Sequence, residues 1–364
     1  MRGGGLYIHI PFCKSKCAYC DFVSYANILD KADAYLRALA DDIKTARRKY
    51  PSFKPNTLYI GGGTPSILSL PQLKKLFDGI EKTFGPAEHF EESTFEANPE
   101  SLTEQKIKLL KARGINRLSL GLQSANDKEL KLIGRAHNKE QFLKAYLCAQ
   151  KYFDNINIDL IAALPQQTLK SFAKSLSFAV KLKPAHISVY GLQVEEGTKL
   201  FAQKYACDEA LCRAMLEHAE IYLKENGYLQ YEISNFAKEG RESLHNINYW
   251  LSGPYLGFGA AAASYMDGAR GQNTPSVTDY IGGKRAVYEE ALRGKAKTGE
   301  RVLLALRYLR GFKPSAKMLK YFKKDFEELL EQKLLQKSGG KIKLSKEGKY
   351  FANAAARRFV EPFD

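Results

Sequence analysis

The feature that most constrains the fold is a regular alternation of short β-type runs with longer amphipathic helical stretches over the first 190 of 364 residues. Strands that alternate with helices of this length predict βαβ crossovers and a parallel sheet. The fold class is therefore predicted to be α/β, as a doubly wound sheet or an incompletely closed barrel. The six β runs are Leu6–Ile10, Thr57–Ile60, Ser93–Ala97, Arg117–Leu122, Ile156–Ile161 and His186–Tyr190.

Polar residues and glycines follow several of these predicted strands at the point where each one ends. Because the carboxyl ends of parallel strands meet at the same edge, chemistry in β/α barrels concentrates there. We expect these segments to share one mouth at the carboxyl ends of the strands. They are Gly61-Gly62-Gly63-Thr64-Pro65, Glu96-Ala97-Asn98-Pro99, Gly121-Leu122-Gln123-Ser124 and Asp159.

The pattern changes after Tyr190. A β run at Tyr228–Ile233 precedes a glycine- and aromatic-rich stretch over 245–265. Near the end, Leu335–Lys337 and Lys341–Leu344 flank a Ser-Gly-Gly turn, which predicts a hairpin in a small winged-helix-like module. Three parts are predicted: a barrel over 1–200, a barrel extension over 201–294 and a basic C-terminal α+β module over 295–364.

Composition sets expectations for location and partners. No stretch approaches the roughly 18 apolar residues that cross a bilayer, and the start of the chain lacks the apolar segment of a secretory signal. We therefore expect a cytoplasmic protein with reduced thiols. The net charge is +16, and the last 70 residues hold 18 Lys and Arg against 8 Asp and Glu, giving +10. This charge indicates an acidic partner, a nucleic acid or an anionic membrane, or else a solvated lysine-rich surface.

Three of the six cysteines, Cys13, Cys17 and Cys20, lie within eight residues directly after the first predicted strand. Thiolates select zinc, copper(I) or an iron–sulfur cluster. His9 would complete a four-ligand zinc site, but it lies inside the strand and is poorly placed to turn back onto the loop. Three thiolates fit a cluster whose fourth iron stays open to a substrate. Structural roles are expected for the other three cysteines, Cys148, Cys207 and Cys212.

Cys-x3-Cys-x2-Cys after one strand and Gly-Gly-Gly-Thr-Pro after the next resemble the radical S-adenosylmethionine superfamily. In that superfamily S-adenosylmethionine binds the open iron of a [4Fe–4S] cluster and is cleaved to a 5′-deoxyadenosyl radical. The resemblance narrows to the oxygen-independent coproporphyrinogen III oxidase group through Leu6–Cys13, Tyr19–Phe22, Ile133–His137, Asn157–Ile161 and Leu164-Pro165. It implies a partial (β/α)6 barrel, with cofactor contacts from Tyr7, Tyr19, Gly62, Gly63, Thr64, Glu96, Gln123, Arg135 and Asp159.

Three of these residues have chemistry that suits a zwitterionic cofactor. Arg135 is able to clamp a carboxylate through two hydrogen bonds. Glu96 and Asp159 are able to accept hydrogen bonds from ribose hydroxyls or an ammonium group. The alternatives are an ordinary surface ion pair for Arg135 and a helix cap for Asp159.

Two departures from the oxidases point to a different subgroup. The oxidases carry a fourth cysteine two positions after the third, where this chain has Phe22, and a long N-terminal extension. Conversely, Leu244–Trp250 matches the His-Asn-x-x-Tyr-Trp motif of the heme chaperone (HemW-like) subgroup. That resemblance implies heme binding, with His245 as a candidate iron ligand, and transfer of heme to an acceptor protein. The alternative is that His245, Tyr249 and Trp250 pack the lower opening of the barrel.

Two other functions stay open. The first is oxidative decarboxylation of coproporphyrinogen III, which would make the chain an oxidoreductase with a porphyrinogen as its substrate. The second, suggested by the basic C-terminal module, is modification of a nucleic acid. No RNA-binding motif is recognised, so that partner is not expected. The sequence leaves open whether the chain forms a homodimer.

Overall fold

The computed structural model describes residues 3–360, apart from the side chain of Tyr288. The strands in this part of the chain are β1 (Gly4–Ile10), β2 (Phe12–Cys13), β3 (Tyr25–Ala26), β4 (Pro55–Gly62), β5 (Glu92–Ala97), β6 (Arg117–Gln123), β7 (Ile156–Ala162), β8 (His186–Gly191), β9 (Leu229–Gln230), β10 (Asn235–Ala237), β11 (Tyr255–Phe258), β12 (Ala263–Met266), β13 (Ala269–Asn273), β14 (Ala286–Glu290), β15 (Leu335–Ser338) and β16 (Lys341–Leu344). The helices are α1 (Ala32–Lys49), α2 (Leu70–Phe84), α3 (Glu104–Ala112), α4 (Asp127–Leu132), α5 (Lys139–Gln150), α6 (Leu169–Lys181), α7 (Lys199–Ala202), α8 (Glu209–Glu225), α9 (Leu244–Trp250), α10 (Val277–Ile281), α11 (Gly294–Leu306), α12 (Ala316–Glu331) and α13 (Ala352–Arg357).

One twelve-stranded sheet frames the protein, in the order β14-β13-β12-β11-β1-β4-β5-β6-β7-β8-β10-β9. The six strands predicted from the alternating pattern, β1 and β4 to β8, are adjacent and parallel. A seventh parallel strand, β11, pairs with the other side of β1, with Gly5 opposite Tyr255. Antiparallel strands extend the sheet at both ends. The prediction of an α/β fold with a partial (β/α)6 barrel is confirmed.

The alternation of side chains along β6 separates the core from the barrel interior. Leu118, Leu120 and Leu122 are fully buried in the main hydrophobic core. The intervening positions from Arg117 to Gln123 face inward and are polar or glycine. The helices cover the outer face of the sheet, and α2 begins at a capping box in which Ser69 and Gln72 exchange hydrogen bonds.

A second hydrophobic core lies near the C-terminus. Val302 of α11 and Phe322 and Phe326 of α12 pack there with the β15–β16 hairpin. The hairpin turns through Gly339 and Gly340, both with positive φ, as the sequence predicts. The boundaries at 200 and 294 stay predictions, although strands of the predicted extension continue the same sheet as the barrel.

The region around Tyr228–Ile233 differs from the prediction of a single β run. The chain reverses after β9 and returns as β10, which pairs antiparallel to it. The reversal is stabilised because the backbone N–H of Ser234 donates to the Glu232 carboxylate at 3.0 Å. A local side-chain hydrogen bond of this kind competes with strand continuation. None of the helices within residues 3–360 has the length and apolar character required to span a membrane.

Candidate cofactor site

A cavity of about 390 Å³ opens at the mouth, the carboxyl ends of the parallel strands together with the cysteine loop between β2 and β3. Two residues predicted for the site, Tyr7 and His245, are not part of its wall. The other eleven line it: Cys13, Cys17, Tyr19, Cys20, Gly62, Gly63, Thr64, Glu96, Gln123, Arg135 and Asp159.

The three clustered cysteines are free, half-buried thiols. Thr64 Oγ1 donates to Cys13 Sγ at 3.6 Å, and Arg135 Nη1 donates to Cys17 Sγ at 3.7 Å. Cys20 Sγ lies 4.0 Å from a serine hydroxyl. Burial raises the pKa of Cys13 and Cys20. A cationic iron centre would offset that burial, so the donor set suits thiolate ligation.

The glycine run at the end of β4 is explained by neighbouring groups of the protein itself. A Cβ on Gly63 would lie 3.0 Å from Cys13 Sγ, and one on Gly61 would lie 2.7 Å from Glu96 Oε2. Gly62 has φ +109, a conformation that side-chain-bearing residues rarely adopt. The three glycines therefore let β4, β5 and the cysteine loop approach one another at the mouth.

His9, the alternative zinc ligand, has both ring nitrogens engaged by protein groups. Its Nδ1 is hydrogen-bonded to the Tyr7 hydroxyl at 2.9 Å, and its Nε2 to the Val23 carbonyl at 2.8 Å. Within residues 3–360, no three His, Cys, Asp or Glu side chains are grouped to hold a single metal ion. In a four-iron cluster each cysteine binds a different iron, so the thiolates are spaced more widely. The zinc alternative gains no support from these contacts.

Two carboxylates face the cavity from neighbouring strands. Glu96 accepts hydrogen bonds from the Tyr59 hydroxyl at 2.6 Å and from the Gly62 backbone N–H at 3.1 Å. Burial raises the pKa of Glu96 to about 7, although the Tyr59 contact opposes this. Asp159 accepts from Ser119 Oγ at 3.0 Å and from a neighbouring amide, and burial raises its pKa. Asp159 lies within β7 and caps no helix, so that alternative is wrong.

Arg135 lies in the cavity wall rather than in a surface ion pair. Its Nη2 donates to Asn98 Oδ1 at 2.7 Å and to the Gly121 carbonyl at 3.2 Å, while its buried Nε has no hydrogen-bond partner among the described residues. Gln123, at the end of β6, has φ +65 where the β6–β7 register is irregular. Strained backbone of this kind is concentrated at binding sites.

The floor is the opposite, amino-end side of the barrel, where Arg117 and Asn246 of α9 line the cavity and Thr57 and Glu92 bind α9. His245 of α9 is buried, with Nδ1 2.8 Å from Thr57 Oγ1 and Nε2 2.8 Å from the Tyr249 hydroxyl. Burial, and then the charge of Arg117, lowers the pKa of His245 to about 3. His245 as an iron ligand stays a prediction, and these contacts match the packing alternative.

Sequence reasoning missed several residues of the cavity wall. Most of them occupy the inward positions of predicted strands, so the two-residue period of those strands would have indicated them. Asn246 lies beyond the strands, and no periodic pattern marks it. The missed residues include Tyr59, Arg117, Ser119, Asn157, Ser188, Tyr190 and Asn246.

Comparison with known proteins agrees with this geometry. Residues 7–179 match the Radical SAM superfamily. The heme chaperone HemW of Bacillus subtilis (strain 168) is 36% identical over 375 residues, which cover 97% of this chain and 98% of that protein. HemW of Escherichia coli (strain K12) is 31% identical, with 98% and 97% covered. The solved structure of Escherichia coli coproporphyrinogen III oxidase (HemN), a radical SAM enzyme, matches with a TM-score of 0.86 at 24% identity over 99% of this chain and 90% of that one.

These similarities differ in what they establish. The match to HemN demonstrates a shared fold. The radical SAM match implies a [4Fe–4S] cluster and S-adenosylmethionine as cofactors, and the free thiols and inward carboxylates at the mouth fit both. Identity above 30% over nearly the full length of the HemW proteins establishes the family. This chain belongs to the HemW family of the radical SAM superfamily.

Proposed function

We propose that this protein binds a [4Fe–4S] cluster through Cys13, Cys17 and Cys20, holds S-adenosylmethionine on it, and binds heme for transfer to an acceptor protein. The observation that carries the cofactor part is the convergence of eleven predicted residues on one cavity. The heme part is supported by near-full-length similarity to proteins named heme chaperones. A cytoplasmic location stays a prediction.

Different residues at the mouth contact the cluster ligands and S-adenosylmethionine. Thr64 and Arg135 donate toward cysteine sulfurs and so stabilise their negative charge. Glu96 and Asp159 supply acceptors for the ammonium and ribose groups of S-adenosylmethionine. A reduced cluster held by Cys13, Cys17 and Cys20 would supply an electron to the sulfonium group of S-adenosylmethionine.

The heme function is tested against the oxidase alternative with one reduced, cluster-loaded preparation. It is incubated without oxygen and with S-adenosylmethionine, once with heme and once with coproporphyrinogen III and an electron acceptor. The proposal expects a stable stoichiometric heme adduct with a Soret band and no decarboxylated product. Formation of that product without retention of heme would overturn the proposal in favour of the oxidase.

The role of His245 requires a separate comparison. Because both ring nitrogens are hydrogen-bonded, iron ligation requires a contact with Thr57 or Tyr249 to break. If His245 ligates heme, His245→Ala alters the Soret band and weakens heme retention, while Tyr249→Phe, which only frees Nε2, keeps the wild-type band. If the motif packs the floor, both variants lower the melting temperature and leave the heme spectrum unchanged. Cluster content is the control in both proteins.

The basic C-terminal module is proposed to meet an acidic acceptor protein or an anionic membrane. Lys323 and Lys324 on α12 are largely exposed, with 73% and 89% of their side chains accessible. Association between exposed charges is screened by salt. Binding to an acceptor protein or to anionic vesicles is therefore expected to weaken as ionic strength rises, and salt-independent binding would argue against this role. Homodimer formation stays open.

A further inference from the structure

A chain of buried hydrogen bonds reaches Asp159 from inside the barrel wall. The amide Nδ2 of Asn157 donates to Asp159 Oδ1 at 2.8 Å. Asn157 Oδ1 lies 2.6 Å from His186 Nδ1, and His186 Nε2 lies 2.9 Å from the Tyr231 hydroxyl. The Tyr231 oxygen accepts a hydrogen bond of 3.0 Å from the backbone N–H of Ser243, the N-cap of α9. The hydrogen-bond chain therefore joins the inward carboxylate of β7 to the helix that carries the His-Asn-x-x-Tyr-Trp motif.

Both oxygens of Asp159 act as acceptors, as an ionised carboxylate requires. Besides its bond to Asp159, Asn157 Nδ2 donates to Ser119 Oγ at 2.8 Å. The hydroxyl proton of Ser119 is therefore free to point at Asp159 Oδ2, 3.0 Å away. With the amide nitrogen of Asn157 facing the carboxylate, its amide oxygen must face His186.

This arrangement fixes the tautomer of His186. Because Asn157 Oδ1 only accepts, the imidazole must carry its proton on Nδ1. Burial, and then the charge of Arg117, lowers the pKa of His186, which keeps the ring neutral. Nε2 is then an acceptor for the Tyr231 hydroxyl. Every donor in the hydrogen-bond chain consequently points toward Asp159.

His186 is the group that selects the orientation of the Asn157 amide. Asn157 and Asp159 line the cavity, whereas His186 is fully buried opposite Asn157 on β8. Ser188 Oγ also donates to Asn157 Oδ1, at 3.1 Å, but a hydroxyl donates or accepts and so fits either orientation. The Nδ1–H of His186 fits only one. An amide turned the other way would place its oxygen against the Asp159 carboxylate.

We infer that His186 and Asn157 are positioning residues that hold the Asp159 carboxylate in place for S-adenosylmethionine, an inference that rests on the proposed function. An ionised carboxylate has about four acceptor positions. Asn157 and Ser119 occupy one on each oxygen. The positions that remain face the cavity, where ribose hydroxyls or the ammonium group are able to donate to them.

The first test compares two variants of His186 by calorimetry with S-adenosylmethionine on the cluster-loaded protein. His186→Asn retains an amide N–H close to the position of Nδ1, and it should keep the wild-type affinity. His186→Leu fills the same space without a donor and should bind about two- to tenfold more weakly, the size of one neutral hydrogen bond. Equal affinities of the two variants would mean that His186 only packs, and would overturn the inference.

The second test reverses the polarity of the next residue in the hydrogen-bond chain. Asn157→Asp has nearly the same shape and still accepts from His186, but it replaces the donor to Asp159 with a carboxylate oxygen. It should weaken S-adenosylmethionine binding by about ten- to a hundredfold, with iron content unchanged. The matched control is Asn155→Asp, which directly precedes β7, lies outside the cavity wall and should keep the wild-type affinity. Wild-type affinity in Asn157→Asp would contradict the positioning role.

The tautomer of His186 supplies a readout that does not depend on any variant folding. In oxidised, cluster-loaded protein labelled with ¹⁵N-histidine, the His186 ring should show a protonated Nδ1 and an unprotonated Nε2. His186→Asn identifies this signal among the six histidines. A proton found only on Nε2 would overturn the inference and leave the proposed function intact. Failure of the wild-type protein to bind S-adenosylmethionine would instead remove the proposed cofactor function, and the role of His186 with it.

Discussion

The mouth and the floor of the barrel differ in how their polar groups are satisfied. At the mouth the cysteine thiols have only long contacts, the Arg135 Nε has no partner within the described residues, and Gln123 is strained. At the floor Glu92 and His245 have close partners on every side-chain nitrogen and oxygen. Polar groups without close hydrogen-bond partners indicate a ligand site, whereas polar groups whose hydrogen bonds are all satisfied within the protein indicate a structural role. Arg117 is the exception at the floor, because its Nε has no hydrogen-bond partner within the described residues.

The largest expected effect is loss of the cluster at the mouth. Cys13→Ala, Cys17→Ala and Cys20→Ala should each abolish the brown iron–sulfur absorbance, because each removes one of three thiolate ligands. The matched control replaces Cys148, Cys207 and Cys212, which pack against the main core, and it should leave iron content unchanged. Loss of iron in that control, with iron retained in Cys17→Ala, would contradict the assignment.

The second largest expected effect is a loss of folding stability when the floor is altered. Glu92→Ala leaves three donors at the start of α9 without an acceptor, and should lower the free energy of unfolding by about 3 kcal/mol. Denaturant titration measures this loss, with the exposed neighbour Glu91→Ala as the control. Unchanged stability in Glu92→Ala would contradict the conclusion that the hydrogen bonds of Glu92 stabilise the floor.

The third effect is on cofactor affinity at the mouth. Arg135→Ala and Asp159→Ala should weaken S-adenosylmethionine binding by about ten- to a hundredfold without loss of iron, since each removes a charge-assisted contact. Calorimetry on the cluster-loaded protein measures the affinity. Asp154→Ala, a surface carboxylate with 76% of its side chain exposed, is the control. Wild-type affinity in both variants would remove these residues from the site.

The smallest effect is a pH dependence at the mouth. The pKa of Glu96 is raised from 4.5 to about 7, so the folded protein holds this proton more tightly than the unfolded chain. The contribution of Glu96 to the free energy of unfolding is fully present below pH 4.5, and it is lost as the pH rises through 7 and the buried carboxyl must ionise. Without cofactors, Glu96→Gln should therefore gain stability over wild type between pH 5 and pH 8, by about 1 kcal/mol because the carboxylate faces an open cavity.

Thermal unfolding at the two pH values measures this difference. Glu91→Gln serves as the control, because Glu91 is exposed, directly precedes β5 and does not line the cavity. This variant should show no pH-dependent difference in stability from wild type. A Glu96→Gln variant that follows wild type at both pH values would indicate that Glu96 titrates normally.

Local pattern predicted the parallel strands and most of the mouth, because both follow from residues close together in sequence. The polar ends of β4, β5, β6 and β7 converge as parallel topology requires. Packing of the barrel's lower opening by His245, Tyr249 and Trp250 was one of two alternatives. The contacts that hold this floor were not predicted, since they join residues such as Glu92 and those of α9 over about 150 residues of sequence. The pairing of β11 with β1 was missed for the same reason, and the turn after Tyr231 was missed because one side-chain hydrogen bond decides it.

The position of β1 between β4 and β11 has a consequence for synthesis on the ribosome. One neighbour, β4, is complete once residue 62 has emerged, whereas β11 requires residue 258. At elongation rates of about 5–20 residues per second this interval lasts about 10–40 s. Throughout it, the strand that leads into the cysteine loop is an open edge, which is prone to aggregation. The strand that leads into the cysteine loop therefore gains its second neighbour only late in translation.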